Sequence, residues 1–203
     1  LTDVDATWAA IPHPLPAWVA PPARALRGLR VTTGAELVAH GGVGPSLAPG
    51  GALFVGFGRR ETDVLTPTFR LWGIAAPGGS IAATNAFAVA TMHFLAGAFE
   101  ACPVQLPASA FVRFYPCASF ELGTLQGQGD GTVAHENRTR PWAAGDVTAR
   151  AQWALVDHVV LELQGGLSFP FVRDTFFLAT GAEAYAVPAV AGTLGAGVGV
   201  RFP

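Results

Sequence analysis

Two cysteines, a few histidines and serines, and a sparse set of ions are the groups in this chain that could do chemistry, and their spacing narrows what that chemistry is. Cys102 and Cys117 form no Cys-X-X-Cys pair and join no His/Cys grouping of the zinc type. No metal and no cofactor is expected from them. In an exported chain so sparse and even a pair reads as one disulfide, whereas in a reducing compartment it reads as two buried thiols. His40, His93, His135 and His158 could serve as bases, and Ser80, Ser109 and Ser119 as nucleophiles. A Ser–His couple needs the two within hydrogen-bond reach, and none of these residues sits in a recognisable motif. A histidine in a polar loop is expected to be solvated, and His93, in an Ala-rich stretch, to be a satisfied interior group. No catalytic residue is assigned, and the chain reads as a non-enzyme.

The ions are more informative, because most of them fall in register with an alternating pattern. From residue 25 onward the chain divides into period-2 runs separated by Gly, Pro, Asn and Asp, and successive side chains in a strand point to opposite faces. Val190, Leu194, Val198, Val200 and Phe202 fall on one face, with Thr193, Gly195, Gly197, Gly199 and Arg201 on the other. Val159, Leu161, Leu163, Leu167, Phe169 and Phe171 oppose Glu162, Gln164 and Ser168. Val147, Ala149, Ala151 and Trp153 oppose Asp146, Thr148, Arg150 and Gln152. Val112, Phe114, Phe120 and Leu122 oppose Arg113, Tyr115, Ser119 and Glu121, and Leu29, Val31, Ala35 and Leu37 oppose Arg30, Thr32 and Glu36. The polar faces are built from Gly, Thr, Ser and Gln with isolated ions of both signs, unlike the dense Lys/Glu cover of a solvated sheet.

Composition says which way the two faces point. Only 13% of the 203 residues are charged and mean hydropathy is +0.40, against roughly 25% charged in an ordinary soluble domain. Apolar surface must therefore cover the molecule, and the expected fold is an all-β, closed antiparallel transmembrane barrel of about eight strands, oily side out. Arg30, Glu36, Arg70, Arg113, Glu121, Asp146, Arg150, Glu162 and Arg201 are then lumen ions. An eight-stranded interior is only wide enough for side chains, so they are expected to pair as a filling network rather than line a channel. A net charge of −2, with every basic residue a scattered Arg, excludes a nucleic-acid partner. Outer-membrane lipid is the expected partner, and a periplasmic or outer-membrane protein is a candidate second one.

Connections are expected to alternate in length: 174–186, 126–141, 74–84 and 40–50 long, with those near 156–158, 105–109 and 60–64 shorter. Residues 82–99, Ala-rich and free of ions apart from His93, also admit a transmembrane helix. A strand pair around Pro77-Gly78-Gly79 fits better, with a bulge needed to phase 87–99. Trp72, Trp142, Trp153, Tyr115, Phe169, Phe171 and Phe202 are expected to form headgroup-level girdles, and the apolar tip Phe176-Phe177-Leu178 to touch a partner or lipid. Residues 1–24, with Pro12, Pro14, Pro16, Pro21 and Pro22, read as an extended arm ahead of a barrel at 25–203. They lack the features of a secretory leader, and Leu1 in the place of Met is expected of a processed chain.

The block Cys102, Pro116-Cys117 and Glu121-Leu122-Gly123, followed by Arg140-Pro141-Trp142, Phe171-Val172-Arg173 and a Gly-rich last strand ending Val200-Arg201-Phe202-Pro203, resembles the carboxyl-terminal barrel of a family of uncharacterised myxobacterial outer-membrane proteins. The lysine-free, Ala/Gly/Arg-rich composition is of the same kind. The resemblance implies an outer-membrane location, a periplasmic segment ahead of the barrel and an aromatic insertion signal at the end, here Phe202 followed by Pro203. It implies no activity. The function expected is a structural or anchoring outer-membrane subunit with a side-chain-filled lumen. The alternatives are a narrow pore or solute carrier, and a soluble lipocalin-like barrel whose oily face would line an apolar ligand site.

Overall fold

The computed structural model describes residues 29–44, 46–59, 64–82, 89–107, 111–130, 136–177 and 183–202. The arm assigned to residues 1–24, Ser109, His135 and Leu178 lie outside them. Eight long strands make the wall: β1 (Leu29–His40), β2 (Ala48–Arg59), β3 (Thr68–Ala82), β4 (Val89–Cys102), β6 (Val112–Asp130), β7 (Glu136–Val156), β8 (Val159–Pro170) and β11 (Ala191–Phe202). Short β5 (Leu106–Pro107) continues the pairing of β4 alongside β6, and β9 (Thr175–Phe177) pairs with β10 (Glu183–Ala186) in a separate hairpin. Every neighbour is antiparallel, and pairing of β1 with β11 and of β4 with β6 closes the ring. Closure leaves the wall without an edge, the condition for a sheet to stand in lipid.

The alternation has the expected phase. Leu37, Leu53, Leu95, Leu122, Val147, Leu163 and Leu194 look outward and are exposed, while Glu36, Arg70, Glu100, Glu121, Asp146, Arg150 and Glu162 are buried inside. The lipocalin-like alternative, which requires the opposite phase, is overturned. So is the helix at 82–99: Val89–Cys102 is strand β4, and no helix among the described residues is long and apolar enough to cross a membrane. Within β4 the alternation is unbroken, and the irregularity lies in its partner, between Pro77 and Ser80, because a proline has no N–H for the ladder. His93 points outward and is exposed, not interior.

The expected connection lengths need correction. Residues 126–141 are mostly ladder, from Thr124↔Pro141 to Gly129↔Glu136, and 74–82 belong to β3. The Gly, Gln and Asn content that imitates a loop marks strands that have left the membrane: β6 and β7 run 19 and 21 residues, about twice the 9–11 that cross a bilayer. The connection at 103–111, expected to be short, has room for β5. The turn at 157–158 is tight, as expected. The chain enters β1 and leaves β11 at that same end, called lower here.

At the upper end the links fold inward. Val43 and Val187 are buried with Phe94, Leu125, Met92, Trp142 and Ala144, and Phe176 and Tyr185 of the small hairpin pack against this cluster. Gly42, at φ 80°, makes the turn that brings Val43 over the bore, and a Cβ there would lie 3.1 Å from that of Ala191.

Candidate functional site

The lumen is filled by ions that the strands deliver from opposite sides. Arg70 of β3 reaches across the bore to β1 and β8, with Nη2 donating to Glu36 Oε1 at 2.6 Å and Nη1 to Glu162 Oε2 at 2.8 Å. Its guanidinium also lies over the Phe54 ring, 4.0 Å from the centroid. Gln164 Nε2 donates to the second Glu36 oxygen at 3.0 Å, and Gln152 Nε2 to the second Glu162 oxygen at 2.6 Å. One guanidinium thus ties three strands, and Gln152 brings in a fourth through Glu162. Lower down, Arg150 Nη1 donates to Glu100 Oε1 at 2.5 Å and faces Tyr115, whose hydroxyl donates to Gln105 Oε1 at 3.1 Å. The disulfide Cys102–Cys117 cross-links β4 and β6 here, buried and facing inward.

Arg30, Arg113 and Arg201 are half-buried nearer the lower mouth, where Arg201 Nη2 donates to Gln152 Oε1 at 3.0 Å. A cavity of about 40 Å³ lies among Arg30, Arg70, Tyr115, Arg150, Gln152, Glu162 and Arg201. That is room for about three waters and for nothing larger, since one water needs about 10–15 Å³ of such space. A larger hollow of about 500 Å³ is on the outer surface, over Gly73 and Gly97 and between Leu53, Leu71, Phe99 and Leu122, where lipid tails would lie.

A third cluster sits beneath the apolar cap. His40 ends β1 with its ring buried; Nε2 faces Glu121 Oε2 at 3.2 Å and Nδ1 lies 2.7 Å from the Gly41 carbonyl. Trp142 Nε1 donates to Glu121 Oε2 at 3.2 Å, and Ser119 Oγ donates to Asp146 Oδ2 at 2.8 Å. His40, Glu121 and Asp146 are the residues here that could hold a metal, with ligand atoms within 4.8 Å of one another. No nucleophile is aligned with a base in this group: Ser119 is engaged by Asp146, and His158 is exposed near the lower turn, 3.3 Å from the Arg201 carbonyl.

Of the nine expected lumen ions, Glu36, Arg70 and Glu162 come together as one group, Glu121 and Asp146 share the upper cluster, Arg150 pairs with Glu100, and Arg30, Arg113 and Arg201 lie at the lower mouth. Glu100 and His40 were missed. Glu100 directly follows the stretch 87–99 whose phase needed a bulge, and His40, placed at the start of the 40–50 link, shares its parity with Glu36 two pairs of residues upstream. The expected girdle also changes: Trp72, Trp142 and Tyr115 are buried inside, whereas Trp153, half-buried, shares the outward row with its ladder neighbour Leu161. Parity with Arg70, Asp146 and Arg113 places Trp72, Trp142 and Tyr115 inside. Phe169, Phe171 and Phe202 do face outward, as do the stacked pairs Phe69–Phe99 and Phe120–Phe171. In the apolar tip, Phe176 packs onto the cap while Phe177 is exposed.

An apolar outside, a paired polar inside and eight closed antiparallel strands define a small bacterial outer-membrane β-barrel. A major outer-membrane protein of Thermus thermophilus is similar in fold, with a TM-score of 0.65 over 86% of this chain and 100% of that one at 12% identity. Neisserial surface protein A is also similar, with a TM-score of 0.51 over 86% and 97% at 14% identity. No protein-family model matches the sequence, and no curated protein does.

Proposed function

We propose that the protein is a structural or anchoring subunit of the outer membrane, with a plugged lumen, no conducting path and no enzymatic role. The observation that carries this is Arg70 held from two sides of the bore by Glu36 and Glu162, under an upper end packed with apolar side chains. An ion entering would have to displace charge-assisted hydrogen bonds and then cross a dry layer. The tight 157–158 turn and both ends of the wall-forming chain mark the lower end as periplasmic, and the β6–β7 hairpin is then the surface presented outside. The resemblance to uncharacterised myxobacterial outer-membrane barrels belongs to the same proposal, as does a protein partner at either end. The test is conductance of the folded barrel in planar bilayers. A silent membrane is expected, and steady unitary openings would replace the anchor with the narrow pore.

A further inference from the structure

We propose that His40, Glu121 and Asp146 form a structural binding site for one divalent first-row transition ion, zinc being the commonest such ion, in the upper lumen. All three side chains are buried, and they come from β1, β6 and β7. Their ligand atoms lie within 4.8 Å of one another. An ion about 2.0–2.2 Å from each needs them about 3–4 Å apart, so binding would draw the three side chains closer together.

Three features point to a cation rather than to an ordinary polar cluster. The first is the histidine. With Nδ1–H donated to the Gly41 carbonyl at 2.7 Å, the neutral ring turns its Nε2 lone pair onto the Glu121 carboxylate, whose oxygens lie 3.2 and 3.4 Å away. Two acceptors facing each other need something positive between them. The second is charge: no arginine among the described residues pairs with Glu121 or Asp146, although Glu36, Glu100 and Glu162 are all so paired. A proton on the imidazole still leaves two buried carboxylates to one positive charge, whereas a divalent ion balances them. The third is an under-satisfied acceptor: Asp146 Oδ1 is buried without a well-formed hydrogen bond, and the one hydroxyl beside it, that of the cross-strand neighbour Ser168, is likewise buried and not engaged, a costly state for a carboxylate oxygen.

The surroundings match those of metal ligands, which are oriented by outer hydrogen bonds. Gly41 orients His40, Trp142 donates to Glu121, and Ser119 donates to Asp146 Oδ2. One imidazole and two carboxylates, with no thiolate, suit zinc and its neighbours in the first row. The ion would clasp three strands where the bore meets its apolar cap. The residues are scattered over more than a hundred positions, so no local sequence spacing announces the site.

The test refolds the chain from urea into detergent with zinc, with cobalt, or with a chelator, and isolates the folded, heat-modifiable form. We expect about one zinc per chain by atomic emission, a visible cobalt spectrum in the wild type, and a higher unfolding temperature with metal than with chelator. Asp146→Asn is expected to weaken binding at least tenfold, and Ser119→Ala, which leaves the ligands intact, to weaken it roughly 10-fold or more. A folded wild type with no stoichiometric metal would overturn the proposal in favour of a shared proton. Full metal retention in both Asp146→Asn and His40→Gln would overturn it in favour of another site. If His40→Gln does not fold, nitrogen coupling in the copper-substituted wild type decides, and its absence refutes the assignment.

Discussion

Replacing Arg70 by Met is the most severe test of a lumen held by charge. The substitution keeps the unbranched stem as far as the position of Nε, removes the guanidinium head, and leaves Glu36 and Glu162, 0% and 1% exposed, facing the bore with no cation between them. Removing one partner of a buried ion pair costs about 3–5 kcal/mol, because the other charge stays behind unpaired. Two stranded carboxylates put this case at the upper end, and loss of the guanidinium from the Phe54 face adds roughly 0.5–2 kcal/mol. The expected loss is about 5.5–7 kcal/mol, comparable with the whole stability of a marginal domain. Adding Glu36→Gln and Glu162→Gln to Arg70→Met removes the stranded charge and should recover more than half of that loss. Equilibrium urea unfolding in detergent micelles, followed by tryptophan fluorescence and heat-modifiable migration, measures all three proteins. A single variant within about 1 kcal/mol of wild type, or a triple variant no more stable than the single one, would refute electrostatic compensation as what holds the lumen.

Other perturbations probe the wall, the cross-link and the cap. Leu163 faces outward near the middle of β8, so Leu163→Arg should cost about 2–4 kcal/mol in lipid-folded protein; no loss in vesicle unfolding would place that face away from hydrocarbon. Replacing both Cys102 and Cys117 by Ser opens a loop with a sequence separation of 15 and should lower stability by about 3 kcal/mol, read as the shift in urea midpoint against the oxidised wild type. Burial pushes the Tyr185 hydroxyl up to about 12 from its ordinary 10. Because the raised value belongs to the folded state, the docked hairpin is fully stable below about pH 10 and loses that stability as pH rises toward 12. Ultraviolet titration should show a phenolate midpoint near 12 that is absent from Tyr185→Phe.

Much of the wall was legible because a strand in a barrel meets two solvents. Alternation in β8 and β11 was enough to place Glu162 and Arg201 on the inner face and Leu163 and Val198 on the outer one. Where an inner position carries an apolar side chain, the signal inverts. Trp72 and Trp142 looked like girdle residues because composition says nothing about depth, although their parity with Arg70 and Asp146 did. Polar ladder above the bilayer looked like loop for a related reason: once both faces of a strand meet water, the oily row disappears from residues such as Gln126, Gln128 and Arg138 while the hydrogen bonds continue.

The partners inside the lumen were not legible at all. Glu36, Arg70 and Glu162 belong to three strands far apart in the chain, and Arg70 lies opposite Glu100 in the ladder yet donates to the two carboxylates across the bore. The same holds for His40, Glu121 and Asp146, which no local spacing joins. A local pattern determines on which face a side chain emerges, because the period of a strand is a property of its own backbone. Which side chains then meet depends on the closure of eight strands, their tilt and their stagger, and those are properties of the whole ring.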